Sequence, residues 1–172
     1  MKFYHRISLI FIVLMLLIIN CKLYSQPSLP QRSFTANPVQ TLSFGDISIL
    51  PGSSGGTITV DYSGNRSSTG SVVLLNLGGA SHQAIYEFKL CPGRLVTITY
   101  PPTVTLTGSN GGSMTLRLGA TNLGSSGSSF HTNAGCDNIQ RISQGGELEV
   151  GAIGANPQGV YTGTISITFN QQ

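Results

Sequence analysis

Apolar and hydroxyl-bearing side chains alternate along several runs of this sequence, and this two-residue period constrains the fold more than any other feature. Successive side chains of a β-strand point to opposite faces, so such alternation predicts half-buried strands. The alternation is clearest near the C-terminus, where one set comprises Tyr161, Gly163, Ile165, Ile167 and Phe169. The intervening Thr and Ser residues suit the outer face of a pleated sheet.

The same period recurs in six shorter runs, at residues 58–62, 84–90, 96–100, 104–106, 114–118 and 148–150. Four tyrosines are in phase with the apolar residues and are therefore expected in the core, namely Tyr62, Tyr86, Tyr100 and Tyr161. Residues 72–75 are apolar at every position, which predicts a central strand that is covered on both faces.

Clusters of Gly, Pro, Asn and Ser separate these runs, as turns require. About eight short strands with this spacing predict an all-β fold, an immunoglobulin-like antiparallel β-sandwich over residues 38–172. Residues 26–37 contain two prolines and are expected to form an extended N-terminal arm. Residues 124–138 are expected to form a long flexible loop.

Residues 1–25 have the pattern of a secretory signal peptide. A short basic segment precedes an apolar run over residues 7–19. That run is too short to span a membrane comfortably, because a spanning helix needs roughly 20 residues. We expect cleavage between Ser25 and Gln26, so the signal peptide gives the chain only a transient membrane contact.

Cys21 offers an alternative way of processing the leader, in which its side chain carries a lipid anchor. Asn20 stands before it, at a position where lipoproteins usually have a small residue. Both alternatives predict an exported protein in the periplasm, on the outer-membrane surface or outside the cell.

The formal charge of +3 belongs to the leader. Three of the nine Lys and Arg residues lie in residues 1–25, and the remaining six are balanced by six Asp and Glu residues. Proteins that bind nucleic acids need a basic patch to contact the phosphates. The neutral mature chain has no basic cluster, so we expect no nucleic-acid partner.

Two cysteines remain after the leader, Cys91 and Cys136. An even number of cysteines in an exported protein favours a disulfide, which here closes a loop of roughly 45 residues and contributes about 2–4 kcal/mol. Two buried free thiols are the alternative. The wide spacing, without a Cys-x-x-Cys or His-x-x-x-His pattern, gives no metal site. We predict neither metal nor cofactor.

Three patterns that are typical of enzymes have simpler interpretations. Residues 52–56 match Gly-x-Ser-x-Gly, but a nucleophile elbow needs a following helix and a strand pattern follows here, which indicates a turn. His82 and His131 lie beside Gly- and Ser-rich turns and are interpreted as surface loop residues. Glu147 and Glu149 share a strand face, as catalytic or calcium-binding carboxylates can, but a solvated sheet face is the interpretation we favour.

Sugar binding is harder to exclude than catalysis. Sugar sites commonly stack aromatic rings on the ligand, yet the chain has no Trp and its in-phase tyrosines are predicted to be core. A carbohydrate- or surface-binding module predicts a shallow polar groove near residues 124–138.

Both ends of the predicted domain resemble known families. Residues 41–46 (Thr-Leu-Ser-Phe-Gly-Asp), 146–152 and 156–163 resemble a bacterial secreted β-sandwich family of unknown function. The early Leu-x-Phe-Gly and the late Gly-x-Tyr-x-Gly also resemble spore-coat-U and archaic chaperone–usher pilin domains. The resemblance implies an immunoglobulin-like domain at the bacterial surface, as in a fimbria-like subunit, and it implies no catalytic residues.

Three function classes follow. We expect a non-enzymatic surface or fimbria-like structural or adhesion protein, whose partners are other subunits or a periplasmic chaperone bound by strand addition. A carbohydrate- or surface-binding module is the alternative. A secreted hydrolase is the third, and no cluster of acid, base and nucleophile can be assembled for it from the sequence.

Overall fold

Antiparallel strand pairs account for the regular structure of this chain. The computed structural model describes residues 32–34 and 36–171, which all belong to one unit, and within them there is no helix. Every strand pair in this part of the chain is antiparallel. The all-β prediction is confirmed. The predicted cleavage site at Ser25 and Gln26 and the lipidation candidate Cys21 lie outside the described residues.

Sixteen strands are assigned in the described residues, where the sequence suggested about eight. In chain order they are β1 (Arg32–Ser33), β2 (Asn37–Gln40), β3 (Ser43–Phe44), β4 (Ile47–Ile49), β5 (Gly56–Val60), β6 (Arg66–Ser68), β7 (Val72–Leu74), β8 (Ser81–His82), β9 (Ala84–Phe88), β10 (Leu95–Thr99), β11 (Thr103–Gly108), β12 (Ser113–Thr121), β13 (Ser129–His131), β14 (Gln140–Val150), β15 (Tyr161–Thr162) and β16 (Thr168–Gln171). The larger number arises because many pairings last only two or three residues before the chain turns or changes partner.

The strands form one large sheet, one smaller sheet and two short ribbons. The large sheet has the order β15-β11-β12-β14-β5-β6, with β9 also paired to β14 and β2 paired to β9. The smaller sheet has the order β1-β16-β10-β13, and the ribbons are β3-β8 and β4-β7. The eleven-residue β14 pairs through its first half with β9 and through its second half with β5.

Gly145 lies where β14 changes partner from β9 to β5. A Cβ atom at this position would overlap the backbone carbonyl oxygen of Val60. Only glycine fits such a close backbone approach, which explains why the Gly145-Gly146 pair lies within β14 instead of forming the turn that its composition suggests.

Two clusters of buried apolar side chains form the core. The first contains Ile58, Val72, Leu106, Met114, Leu116, Leu148 and Val150. The second contains Phe88, Val96, Ile98, Tyr100, Ile142 and Phe169. Leu118 packs against both clusters. Most of these residues come from the alternating runs, so the two-residue period identified the buried faces correctly.

Two burial predictions are wrong. Tyr62 is 48% exposed, because β5 ends at Val60 and the Asp61 carboxylate accepts the backbone N–H groups of Ser63 and Asn65 in a turn. A hydrogen bond from the Asn65 side chain, together with these backbone hydrogen bonds, lowers the pKa of Asp61. The predicted central strand at residues 72–75 is β7, which pairs only with β4 and leaves Val73 39% exposed.

The C-terminal run and the predicted loop also differ from expectation. The alternating run from Tyr161 splits into β15 and β16, and residues 163–167 between them have no strand partner. Its burial still alternates, with Ile165 and Ile167 half-buried. The loop predicted for residues 124–138 contains β13, which pairs with β10.

Candidate functional site

A disulfide joins Cys91 to Cys136, as the cysteine count predicted, so the free-thiol alternative is wrong. The buried Thr132 lies beside it and donates its hydroxyl to the Cys91 carbonyl oxygen, with an O···O distance of 2.6 Å. The same hydroxyl oxygen accepts the backbone N–H of Arg94, with an N···O distance of 3.0 Å. The disulfide and these hydrogen bonds fix the segment that follows β13.

Two open grooves are candidate binding sites. The first, which we call the edge groove, has a volume of about 370 Å³. Its lining comprises Phe34, Ala36, Pro38, Tyr86, Ile165, Ser166, Ile167, Thr168 and Phe169. Most of this lining is apolar, and burial there raises the pKa of the Tyr86 hydroxyl.

The edge groove opens because two chain segments diverge. Arg32 and Ser33 in β1 pair with Gln171 and Asn170 in β16. Beyond that pair, one segment crosses to the large sheet as β2, which pairs with β9 on one side only. The other segment, residues 163–167, has no strand partner. Residues 163–167 and one side of β2 therefore have no ladder partner, and residues of both segments line the groove.

Three aromatic rings pack together beside the edge groove, and two of them, Phe34 and Phe169, line it. The ring of Phe34 lies 5.4 Å from that of Phe88 and 5.5 Å from that of Phe169, measured between centroids. Contacts at these distances stabilise aromatic pairs beyond their buried area. The last residues of the predicted N-terminal arm are thus paired or packed in the domain.

The second groove lies beside β13, and we call it the β13 groove. Its volume is about 230 Å³ and its lining comprises Leu123, Phe130, His131, Asn133, Gln140 and Arg141. The Arg141 Nε donates to Glu87 Oε1 at 2.6 Å, and the Gln140 side chain donates to the Leu90 carbonyl oxygen. This groove lies in the region where a sugar-binding module was expected to have one.

The structure does not assemble the candidate catalytic residues. His82 lies in β8, where its Nδ1 is 2.7 Å from the Thr41 carbonyl oxygen, and His131 ends β13. The prediction that both histidines occupy loops is therefore wrong. In the Gly-x-Ser-x-Gly match, the Ser53 hydroxyl donates to the Leu50 carbonyl oxygen and β5 follows immediately, so the turn interpretation is confirmed.

Glu147 and Glu149 share one face of β14, as predicted. Glu149 forms an ion pair with Arg117 across the sheet at 2.6 Å, and Glu147 accepts a hydrogen bond from Thr59. The Glu149 side chain is 41% exposed, which fits a solvated sheet face. Among residues 32–34 and 36–171, no three His, Cys, Asp or Glu side chains are grouped so that they could hold a metal ion.

The sequence did not identify the walls of either groove. The edge groove depends on a missing strand partner, whereas the alternation of residues 161–169 suggested one complete strand. The β13 groove gathers residues from three separate segments, and the only signal was the Gly- and Ser-rich composition of residues 124–138.

Comparison with known proteins identifies the family. The family model described as "Domain of unknown function (DUF4402)" matches residues 34–170. No curated protein and no solved structure matches the chain. In the described part of the chain, no helix has the length and apolar character needed to cross a membrane. Because the match covers more than half of its length, the chain belongs to the DUF4402 family of domains of unknown function.

Proposed function

We propose that this protein is an exported, non-enzymatic structural or adhesion subunit that assembles with other copies by strand addition at the edge groove. The observation that carries the proposal is that residues 163–167 have no strand partner and β2 has one on one side only, while residues of both segments line the edge groove. Exposed strand edges of this kind are templates for an added strand.

The apolar floor supplies the second requirement of strand addition, which is a place for alternate side chains of the incoming strand. Ile165 and Ile167 are half-buried and line the edge groove on one side, while Ala36 and Pro38 line it on the other. An added strand would cover these side chains and hydrogen-bond to the free backbone groups.

The occupant in this proposal is the segment 26–31 of a second copy. That segment directly precedes β1, and β1 pairs with β16 at one end of the edge groove. The arm of a neighbouring copy would pair with residues 163–167, where no strand of the same chain pairs. In the same scheme, a periplasmic chaperone would cover the groove before assembly.

The disulfide bond gives further support, because it suits an exported protein. Disulfides persist in oxidising compartments, so the Cys91–Cys136 bond agrees with a secretory leader over residues 1–25. The two packed core clusters and the antiparallel pairing are compatible with an immunoglobulin-like sandwich. The proposed relationship to spore-coat-U and pilin domains rests on the end motifs and on this compatibility.

Ile167→Lys is expected to convert multimers of the exported protein into monomers, because it places a charge in the edge groove. Light scattering after size-exclusion chromatography measures the change. Thr164→Lys is the matched control, since Thr164 is an exposed residue of the same segment outside the groove lining, and it should leave the multimers intact.

Deletion of residues 26–31 tests the occupant without altering the groove. It stops short of β1, which belongs to the smaller sheet, and should also give monomers. Monomeric wild-type protein at every concentration, or multimers that survive both the deletion and Ile167→Lys, would contradict the proposal.

A further inference from the structure

We infer that the β13 groove binds a sugar unit that carries a carboxylate, such as a uronic acid at the end or side of a surface glycan. The β13 groove is a different surface from the edge groove, and ligand binding there does not depend on assembly. The lining of the groove, the charges at its rim and the rigid segment beside it all suit such a ligand.

The lining combines an apolar floor with planar polar side chains. Leu123 and Phe130 are half-buried and form the apolar part, and the Phe130 ring is braced by Phe88 at a centroid distance of 6.1 Å. Ligand sites combine such a surface with a few polar groups that fix orientation. A volume of about 230 Å³ lies below the range of roughly 300–1,000 Å³ for drug-sized ligands, which suits a single sugar ring.

The polar side chains of the rim favour a ligand with acceptor oxygens and a negative charge. They are His131, Asn133, Gln140 and Arg141, and the lining contains no Asp or Glu. The amide groups of Asn133 and Gln140 can each donate to and accept from sugar hydroxyls.

Arg141 is the residue that would recognise the carboxylate. Its ion pair with Glu87 uses only Nε, and its side chain is 68% exposed. The two terminal guanidinium nitrogens therefore remain for a ligand, within the described part of the chain. Arginine binds carboxylates through two parallel hydrogen bonds. Glu87 is 20% exposed and holds the guanidinium in one orientation.

The rim is fixed before any ligand arrives. His131 and Asn133 flank Thr132, which is 3% exposed and hydrogen-bonded to both Cys91 and Arg94. The disulfide closes the same segment three residues after Asn133. A rigid site loses less conformational entropy on binding than a mobile loop would.

The experiment is an NMR titration of the exported protein with D-glucuronate, D-glucose, acetate and inorganic phosphate. D-glucuronate is expected to shift the amide signals of β13 and β14 and to bind about tenfold more tightly than D-glucose, as one charge-assisted hydrogen-bond pair allows. Acetate and phosphate should bind more weakly than D-glucuronate, because they lack the ring that covers Phe130.

Arg141→Gln should remove the preference for D-glucuronate, and Phe130→Ala should weaken binding of both sugars. Arg117→Gln is the matched control, because Arg117 also bonds a glutamate through Nε at 2.6 Å on an exposed sheet face. Arg141→Gln should fold normally, since exposed ion pairs contribute little to stability.

The inference is overturned if neither sugar shifts the groove signals, or if Arg141→Gln leaves the preference unchanged. Phosphate or acetate binding as tightly as D-glucuronate would also overturn it, by identifying a general anion site. None of these outcomes affects the proposed assembly at the edge groove, because that proposal is tested by the oligomeric state of the protein.

Discussion

Ile142→Ala is expected to lower the free energy of unfolding by about 2–5 kcal/mol, the range for removing a fully buried aliphatic side chain. Ile142 is 0% exposed and packs in the second core cluster with Phe88, Val96 and Ile98. Its strand pairs there with β9, so the cavity would lie between the two sheets. Urea unfolding followed by tyrosine fluorescence measures the change, since the chain has no Trp.

Ile139→Ala provides the matched control. Ile139 precedes β14 and is 56% exposed, so the same truncation should change the free energy of unfolding by less than about 0.5 kcal/mol. Ile142→Val should fall between the two, at about 0.5–1.5 kcal/mol. Equal effects at residues 139 and 142 would mean that the second cluster is not a packed core.

Sequence periodicity predicted burial well because burial depends on side-chain direction, which is a local property of a strand. Val96, Ile98 and Tyr100 alternate with polar residues, and all three are buried. The same rule failed at Tyr62, where the alternation continues past the last paired residue of β5. Alternation fixes which face a residue occupies only while the chain stays extended.

Pairing could not be predicted in the same way, because it depends on which distant strand lies alongside. Residues 163–167 continue the two-residue alternation, yet they have no strand partner. The sequence therefore indicated a complete final strand, and the edge groove was missed. Val73 shows a second failure of this kind. The apolar run at residues 72–75 suggested a strand covered on both faces, but β7 pairs only with β4.

The sequence did not predict which residues line either groove. It did predict two features near the β13 groove, the disulfide and a polar segment. The cysteine count predicted the Cys91–Cys136 bond, and the composition of residues 124–138 indicated where a polar groove could form. No sequence pattern marked Arg141 as a binding residue. It lines the same groove as Phe130 only because β13 and the start of β14 lie near each other in the fold. Long-range contacts of this kind have no local sequence pattern.

Replacing both disulfide cysteines, Cys91→Ser with Cys136→Ser, is expected to lower the free energy of unfolding by about 4 kcal/mol on the chain-entropy model. The cross-link spans 45 residues, and its loss returns conformational freedom to the unfolded chain. At roughly 3 °C per kcal/mol for a domain of this size, the thermal midpoint should fall by about 12 °C.

Reductant supplies the control for the same experiment. Dithiothreitol should lower the thermal midpoint of the wild-type protein towards that of the double variant and leave the variant unchanged. The double variant should also bind D-glucuronate more weakly, because Thr132 then loses the covalent closure that holds His131 and Asn133 at the rim of the β13 groove. A wild-type midpoint that is insensitive to reductant and equal to that of the variant would show that the disulfide does not form in the protein. The proposed export to an oxidising compartment would then have no support from the disulfide.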